Sequence, residues 1–395
     1  TTFGNPAFAG NIAQTNAAVV DRLERAGAIV FGKTNVPFML IDSQSFNDIY
    51  GTTNNPWDLR RSPGGSSGGG AAALAAGLVA LEAGSDIGGS LRNPAHYSGV
   101  YGHKPSFGIV STRGHAPPGT KTPMDMSVVG PLARNAGDLA LALDVLNGPD
   151  DLAAAAWRVV IPEPRVARLR DCRVAVWPSS PLSAVDDAVM KPFHAAVDAI
   201  ERAGARVQRE VKPAFDVHEE HRLYMTLLRA ATSSRMPDHV FEEQKRIAAA
   251  VSPDDRSHRA ATARGATLAH RDWLAANEGR TRLRLAWRAF FEDFDVLLTP
   301  VAATPAFEHD HNPDRDERKM RVNGGLVAYT DQLFWAGLAA ASYLPATAAP
   351  IGFAGHLPVG LQILGPEGGD RTTIAFAGLL AQEIGGFLPP PGYDA

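Results

Sequence analysis

The sequence predicts an α/β protein: one sheet with helices covering both faces. Three observations carry this expectation. A helix-Gly-strand unit stands near the start, at 17–31, and a strand-helix-strand unit follows at 173–211. Short apolar runs then alternate with amphipathic stretches to the end of the chain, the pattern of a sheet packed between helices. With 45% apolar and 20% charged residues among 395, the chain can bury a core of that size.

Residues 1–15 read as a loop. Thr15-Asn16 can cap a helix over Ala17–Ala26, whose Val19, Val20 and Leu23 share one face. Gly27 ends it, and Ala28–Phe31 reads as a short buried strand. Turn signals crowd 34–63, at Asn47-Asp48, Asn54-Asn55-Pro56 and Ser62-Pro63. A small-residue helix is expected at Ala71–Ala83, with turns and short extended pieces over 99–114. Asp138–Leu146 is an amphipathic helix, and 150–170 a surface connection. Arg173–Trp177 and Arg206–Val211 are strands flanking a helix at Asp186–Ala203. Three helices follow, at His218–Arg235, Asp238–Ala250 and Ala266–Phe294. Asp295–Pro300 is a strand, His309–Lys319 a charged solvated stretch and Leu333–Ser342 a helix. Ala346–Pro350 and Leu361–Leu364 are strands, and Arg371–Ile384 is the last helix. No internal repeat is present.

The totals exclude several functions. Net charge is −4 with no basic stripe, which argues against nucleic acid. No apolar run reaches the roughly 18 residues that span a bilayer, so no membrane is expected, and the opening Thr1-Thr-Phe-Gly-Asn-Pro6 is not a signal peptide. The single Cys172 rules out an internal disulfide and a cysteine zinc site. It fits a reducing compartment, and the expected location is the cytoplasm.

The chemistry concentrates in two glycine-serine loops flanking one helix: Arg61–Gly70 and Ser85–Arg92. Glycine admits close backbone approach, and a serine there is a turn former or a nucleophile. The pair reads as a pocket of backbone N–H donors, for catalysis or an anion, with structural turns as the alternative.

Competing motifs weigh less. Gly27–Thr34 matches G-x-x-x-x-G-K-[ST], but its four middle residues form the expected strand instead of a phosphate-cradling turn. Gly64–Gly68 matches G-x-S-x-G around Ser66. The nucleophile elbow needs a buried strand upstream, and a polar loop stands there. His218 and His221, three residues apart on a charged helix, are expected to be solvated. His309-Asp-His311 is a weak metal candidate, and His96 and His103 are pocket-wall or packing residues. What remains is serine chemistry without histidine: an attacking hydroxyl needs a base, which a buried neutral lysine can be, and its oxyanion needs N–H donors. Ile87-Gly88-Gly89-Ser90 can supply such donors.

These residues resemble the amidase signature family. The resemblance lies in Pro63-Gly-Gly-Ser-Ser-Gly-Gly69, Ser85-Asp-Ile-Gly-Gly-Ser-Leu-Arg-Asn-Pro-Ala95 and Gly99–Gly108. It extends to Gly32–Asn35, Gly130–Arg134, Asp295–Pro300 and Leu357–Pro366, covering nearly all of 1–390. It implies a single-domain three-layer α/β/α sandwich with a large mixed central sheet. It implies amide hydrolysis through a serine acyl-enzyme, with no cofactor and no metal. Ser90 is then the nucleophile and Ser66 the bridging serine after a cis Gly65–Ser66 peptide bond. The N–H groups of Ile87, Gly88, Gly89 and Ser90 form the oxyanion hole, and Asp86 and Arg92 brace the loop. The partner is a small-molecule amide, and a homodimer is admitted.

Two departures from the family stand out. Its catalytic lysine belongs upstream of the Thr-Thr-x-Gly segment, here Thr1–Gly4, so it is expected outside this chain, in an N-terminal segment of about 80 residues by the resemblance. Lys33 corresponds to a structural position. Gly70 stands where many members carry serine. Residues 1–395 thus read as one amidase signature domain lacking its N-terminal segment, with 216–295 a helical insertion shaping the substrate pocket. Met124, Met126, Phe307, Phe334 and Trp335 are candidate acyl-pocket or core residues. An amidotransferase A-type subunit working in a complex, and a scaffold impaired by the missing lysine, remain alternatives.

Overall fold

A computed structural model describes residues 1–393. In chain order the helices are α1 (Ala18–Arg25), α2 (Gly68–Ala75), α3 (Arg92–Ser98), α4 (Ala136–Leu146), α5 (Asp187–Arg202), α6 (Val217–Ser233), α7 (Asp238–Ala250), α8 (His258–Ala266), α9 (His270–Asp293), α10 (Leu333–Ala341) and α11 (Asp370–Ile384). The strands are β1 (Phe46–Asn47), β2 (Gly51–Thr52), β3 (Glu82–Asp86), β4 (Tyr101–Lys104), β5 (Val128–Ala133), β6 (Arg173–Val176), β7 (Arg206–Arg209), β8 (Val296–Pro300), β9 (Lys319–Val322), β10 (Gly325–Ala328), β11 (Ala346–Ala354) and β12 (Leu357–Leu364).

Eight strands form the central sheet, in the order β3-β5-β4-β11-β12-β8-β6-β7. The sheet is mixed: β6 runs parallel to β7 and β8, and the other neighbours are antiparallel. Alternation along each strand assigns its two faces. Val174 and Val176 of β6, with Val296 and Leu298 of β8, pack in a cluster with α4, α5 and α11. Ala175 and Leu297 face the other way, into a cluster with α6, α9 and α10. Both faces are covered, so the inner strands are buried along their length, as β8 is, with a few buried polar side chains among them, His103 and Lys104 in β4, Thr299 in β8 and Gln362 in β12. This is the predicted three-layer α/β/α sandwich.

Several elements differ from expectation. Residues 28–31 form no strand, and Ile29 and Phe31 are largely exposed. Their apolar character signalled burial, but no neighbouring strand pairs with them among the described residues. The phosphate-loop alternative therefore has neither a strand nor a turn at 28–34. The small-residue helix starts earlier and stops at Ala75. Gly77 adopts a left-handed conformation (φ 72°). Its N–H donates to Leu74 O (3.1 Å) and that of Leu78 to Ala73 O (2.9 Å), a Schellman stop. The residues beyond it, Glu82–Asp86, become strand β3 by pairing Glu82 with Leu132 through Asp86 with Val128. Strand β5 and the β1–β2 and β9–β10 hairpins were likewise not predicted from the sequence. The helical 216–295 segment forms as α6 to α9, and Asp216 caps α6 through the N–H groups of His218 and Glu219.

Candidate active site

The two loops meet. The first reaches α2 through Ser66, a buried residue, and its Gly65–Ser66 peptide bond is cis. The turn is tightly held. Gly65 N–H donates to Asn93 Oδ1 (3.2 Å) and Gly68 N–H to Ser45 Oγ (3.1 Å). A Cβ on Gly65 would stand 2.6 Å from both Asp42 O and Gln44 N, so only glycine fits there. The second loop leaves the end of β3 and enters α3. Ser67 N–H donates to Ser90 O (3.1 Å), tying one loop to the other.

Asp86 organises the second loop. Its Oδ1 accepts from Gly89 N–H (2.9 Å) and Arg92 Nη2 (2.8 Å). Its Oδ2 accepts from Leu91 N–H (3.1 Å) and Arg92 Nε (3.0 Å). Arg92 also donates to Gln362 Oε1 (2.6 Å) and Ala336 O (3.1 Å). Burial opposes the Asp86 charge. The Arg92 guanidinium, Lys104 and the Gly89 N–H outweigh it and hold the carboxyl below the usual carboxylate range. Gly89 bends the loop at φ 98°, outside the range of ordinary residues.

Gly89 N–H is thus engaged by Asp86, which differs from its expected place among the oxyanion donors. The N–H groups of Ile87, Gly88 and Ser90 have no partner among the described residues. Of these three residues Gly88 lines a cavity with room for about one water molecule, together with Gly89, Asn93, Val301, Gln332 and Ala336. Ala336 was missed in the sequence because α10 reads as plain core, and Gln332 because it stands just before that helix. Phe334 and Trp335, the pocket candidates on the same helix, are fully buried in the apolar cluster instead.

No lysine hydrogen-bonds to Ser66 or Ser90 among the described residues. Lys33 is exposed and donates to Thr1 Oγ1. Lys104 is fully buried and donates to Leu344 O (2.8 Å) and Pro105 O (3.1 Å). Burial, with Arg92 adding to it, lowers its pKa to about 7.

The histidines are structural. Gly360 N–H donates to His96 Nδ1 (3.0 Å), whose Nε2 then donates to Thr304 O (3.0 Å). Burial lowers the His96 pKa, which keeps it neutral. His103 bonds Asp370 Oδ1 (3.1 Å) and Thr347 Oγ1 (2.9 Å). Ser106 Oγ donates to the same Asp370 (2.6 Å) and not to the histidine, so this buried trio lacks the wiring of a hydrolytic triad. His309 bonds Asn54 and His311 stacks on Phe46. No cluster that could hold a metal ion occurs among the described residues. His218 is exposed as expected, but His221 is not solvated. Its Nδ1 is buried without a partner, and desolvation lowers its pKa to about 4.

Helix α6 brings two further residues towards this region, one turn apart. Tyr224 is buried with its hydroxyl 3.4 Å from Ile87 O. Glu220 is buried with both carboxyl oxygens unpartnered, and desolvation raises its pKa to about 8.

The unusual Gly70 has a spatial cause. A Cβ there would lie 2.4 Å from Glu82 Cγ and 2.9 Å from Glu82 Cδ. Glu82 is half-buried, desolvation raises its pKa, and it accepts from Thr34 Oγ1 (2.8 Å). Gly70→Ser is therefore expected to destabilise by about 1–3 kcal/mol through overpacking. Adding Glu82→Ala should restore much of the loss. Denaturant titration of both variants checks this, and two purely additive losses would refute the clash.

Comparison with known proteins gives the chain's family. Residues 1–374 match the Amidase family. The chain is 32% identical to the A subunit of glutamyl-tRNA(Gln) amidotransferase of Lysinibacillus sphaericus, over 92% of this chain and 76% of that protein. It is 32% identical to indoleacetamide hydrolase of Bradyrhizobium diazoefficiens, over 91% of this chain and 66% of that protein. The fold superposes on the crystal structure of the corresponding glutamyl-tRNA(Gln) amidotransferase A subunit of Thermotoga maritima with a TM-score of 0.79 and 27% identity, covering 99% of this chain and 82% of that one. No helix among the described residues is long and apolar enough to cross a membrane. The chain belongs to the Amidase family.

Proposed function

We propose that the protein hydrolyses a small carboxylic acid amide through an acyl-enzyme on Ser90. The observation that carries this is the junction of the two loops. Ser67 N–H holds the Ser90 carbonyl, and unpartnered N–H groups at Ile87, Gly88 and Ser90 stand beside it. Ser90 Oγ attacks the amide carbon while its proton passes to Ser66. The carbonyl oxygen becomes an oxyanion and takes the free N–H donors. Collapse breaks the C–N bond, with the proton delivered to the departing nitrogen. Water then attacks the ester on Ser90 and releases the acid. By family resemblance a lysine accepts the proton from Ser66. Gly89 serves here as the bend that Asp86 fixes, and helices 216–295 shape the substrate pocket. The expected setting is the cytoplasm, supported by a single buried cysteine, and a homodimer is admitted.

Labelling with an alkyl fluorophosphonate, followed by peptide mapping, tests the reading. The expected adduct sits on Ser90. An intact protein left unlabelled there, or labelled elsewhere, would overturn it. A second reading, favoured by the similarity to amidotransferase A subunits, is an ammonia-supplying subunit of a complex. It predicts a partner that co-purifies and raises turnover of an amide donor. The scaffold alternative predicts no labelling.

A further inference from the structure

Helix α6 lays Tyr224 against the loop that carries Ser90. Space for the ring is reserved on the neighbouring helix: a Cβ at Gly337, inside α10, would lie 2.6 Å from Tyr224 Cδ1. Glycine inside a helix costs about 1 kcal/mol relative to alanine, so this packing has a cost that the ring's position offsets. The hydroxyl then stands 3.4 Å from Ile87 O and 3.3 Å from where a Cβ of Gly88 would be.

Ile87 C=O and Gly88 N–H belong to one planar peptide unit. It is trans, so the two groups point in opposite directions, and whatever fixes the carbonyl aims the N–H. The neighbouring units are fixed from within the loops. Asp86 Oδ1 takes Gly89 N–H. Ser67 N–H and Asp86 Oδ2 hold the Ser90–Leu91 unit from its two sides. The Ile87–Gly88 unit is instead held from outside the two loops, by helix α6.

We propose that Tyr224 is a positioning residue for catalysis: its hydroxyl donates to Ile87 O and thereby aims Gly88 N–H at the oxygen of the substrate carbonyl. The proposal rests on Ser90 being the nucleophile. Burial pushes the phenol pKa up, so the group stays a donor at any pH where the fold is intact. The preorganised N–H needs no rotation when charge develops, which is where such donors act.

Tyr224→Phe tests it, because the ring and its packing remain and only the donor is lost. The probe is the same alkyl fluorophosphonate, whose P=O oxygen requires the same N–H groups. Losing an oxyanion donor outright costs about 10²–10³-fold in rate, and loosening one is expected to cost about 10-fold. The expected result is a fall of that size in kinact with KI within about two-fold, and affinity for an alkylboronic acid weakened in step. An unchanged kinact overturns the proposal. A raised KI with unchanged kinact also overturns it, making Tyr224 a substrate contact instead. Ser90→Ala separates the two claims. If wild type and Ser90→Ala label alike, or wild type does not label, the assignment of Ser90 fails and this proposal with it. If Ser90→Ala alone is inert while Tyr224→Phe labels at full rate, only the positioning role fails.

Discussion

Asp86→Ala is expected to destabilise the protein by about 3–5 kcal/mol and to abolish labelling of Ser90. The stability loss follows from burial. Arg92 is 1% exposed, and removing its carboxylate leaves a guanidinium with only Gln362 and Ala336 as neutral acceptors. Breaking a buried pair on one side costs this much because the surviving charge is uncompensated. The loss of reactivity follows from the two N–H groups that Asp86 also holds, those of Gly89 and Leu91, which bracket Ser90. Asp86→Asn separates the effects. It keeps one oxygen acceptor but removes the charge, so it should fall between wild type and alanine in both measurements. Urea unfolding and fluorophosphonate labelling of the three proteins check the order. An alanine variant as stable and as reactive as wild type would show that Asp86 organises nothing. Acid should act in the same direction: the depressed carboxyl contributes stability above its unfolded value of 3.8, lost as pH falls through its lower folded value.

What the sequence made legible was whatever depends on local spacing. Ser66, Ser90 and their glycines are close in the chain, and each loop's shape is set by neighbours such as Asp86, Gly89 and Arg92. The sheet's inner strands, β6, β8 and β12, were readable because both of their faces are buried and their residues are apolar. Strand β3 was not, since Glu82-Ala-Gly-Ser-Asp86 has neither β-branched residues nor alternation and is a strand only because β5 pairs with it. Residues 28–31 failed in the opposite way, apolar but without a neighbouring strand. The walls of the site were invisible for a related reason. Ala336 belongs to a helix that reads as core, Gln332 stands just before that helix, and Tyr224 belongs to a stretch that reads as a charged surface. Their meaning comes from which helix packs on which, information that periodicity does not contain.

Glu220 shows the same point in energetic form and yields the second large effect. In the sequence it is one acid in His218-Glu-Glu-His221. In the fold it is buried, its oxygens lack partners, and desolvation raises its pKa to about 8 against an ordinary 4.5. A folded pKa above the unfolded one means the unfolded chain releases the proton first. Stability from the neutral form is complete below pH 4.5 and is lost as pH rises towards 8. At about 1.36 kcal/mol per unit, the loss approaches about 5 kcal/mol in alkali. Glu220→Gln removes the ionisation while keeping the shape. Its stability relative to wild type should therefore be lowest at about pH 5, climb through pH 7, and level off near pH 9. Urea midpoints at the three values measure the trend. Parallel profiles for the two proteins would mean that Glu220 ionises freely in the fold. Because Tyr224 lies one turn further along the same helix, the labelling rate of Ser90 should follow the same curve in wild type and stay flatter in the Gln variant, once the general rise with serine ionisation is divided out.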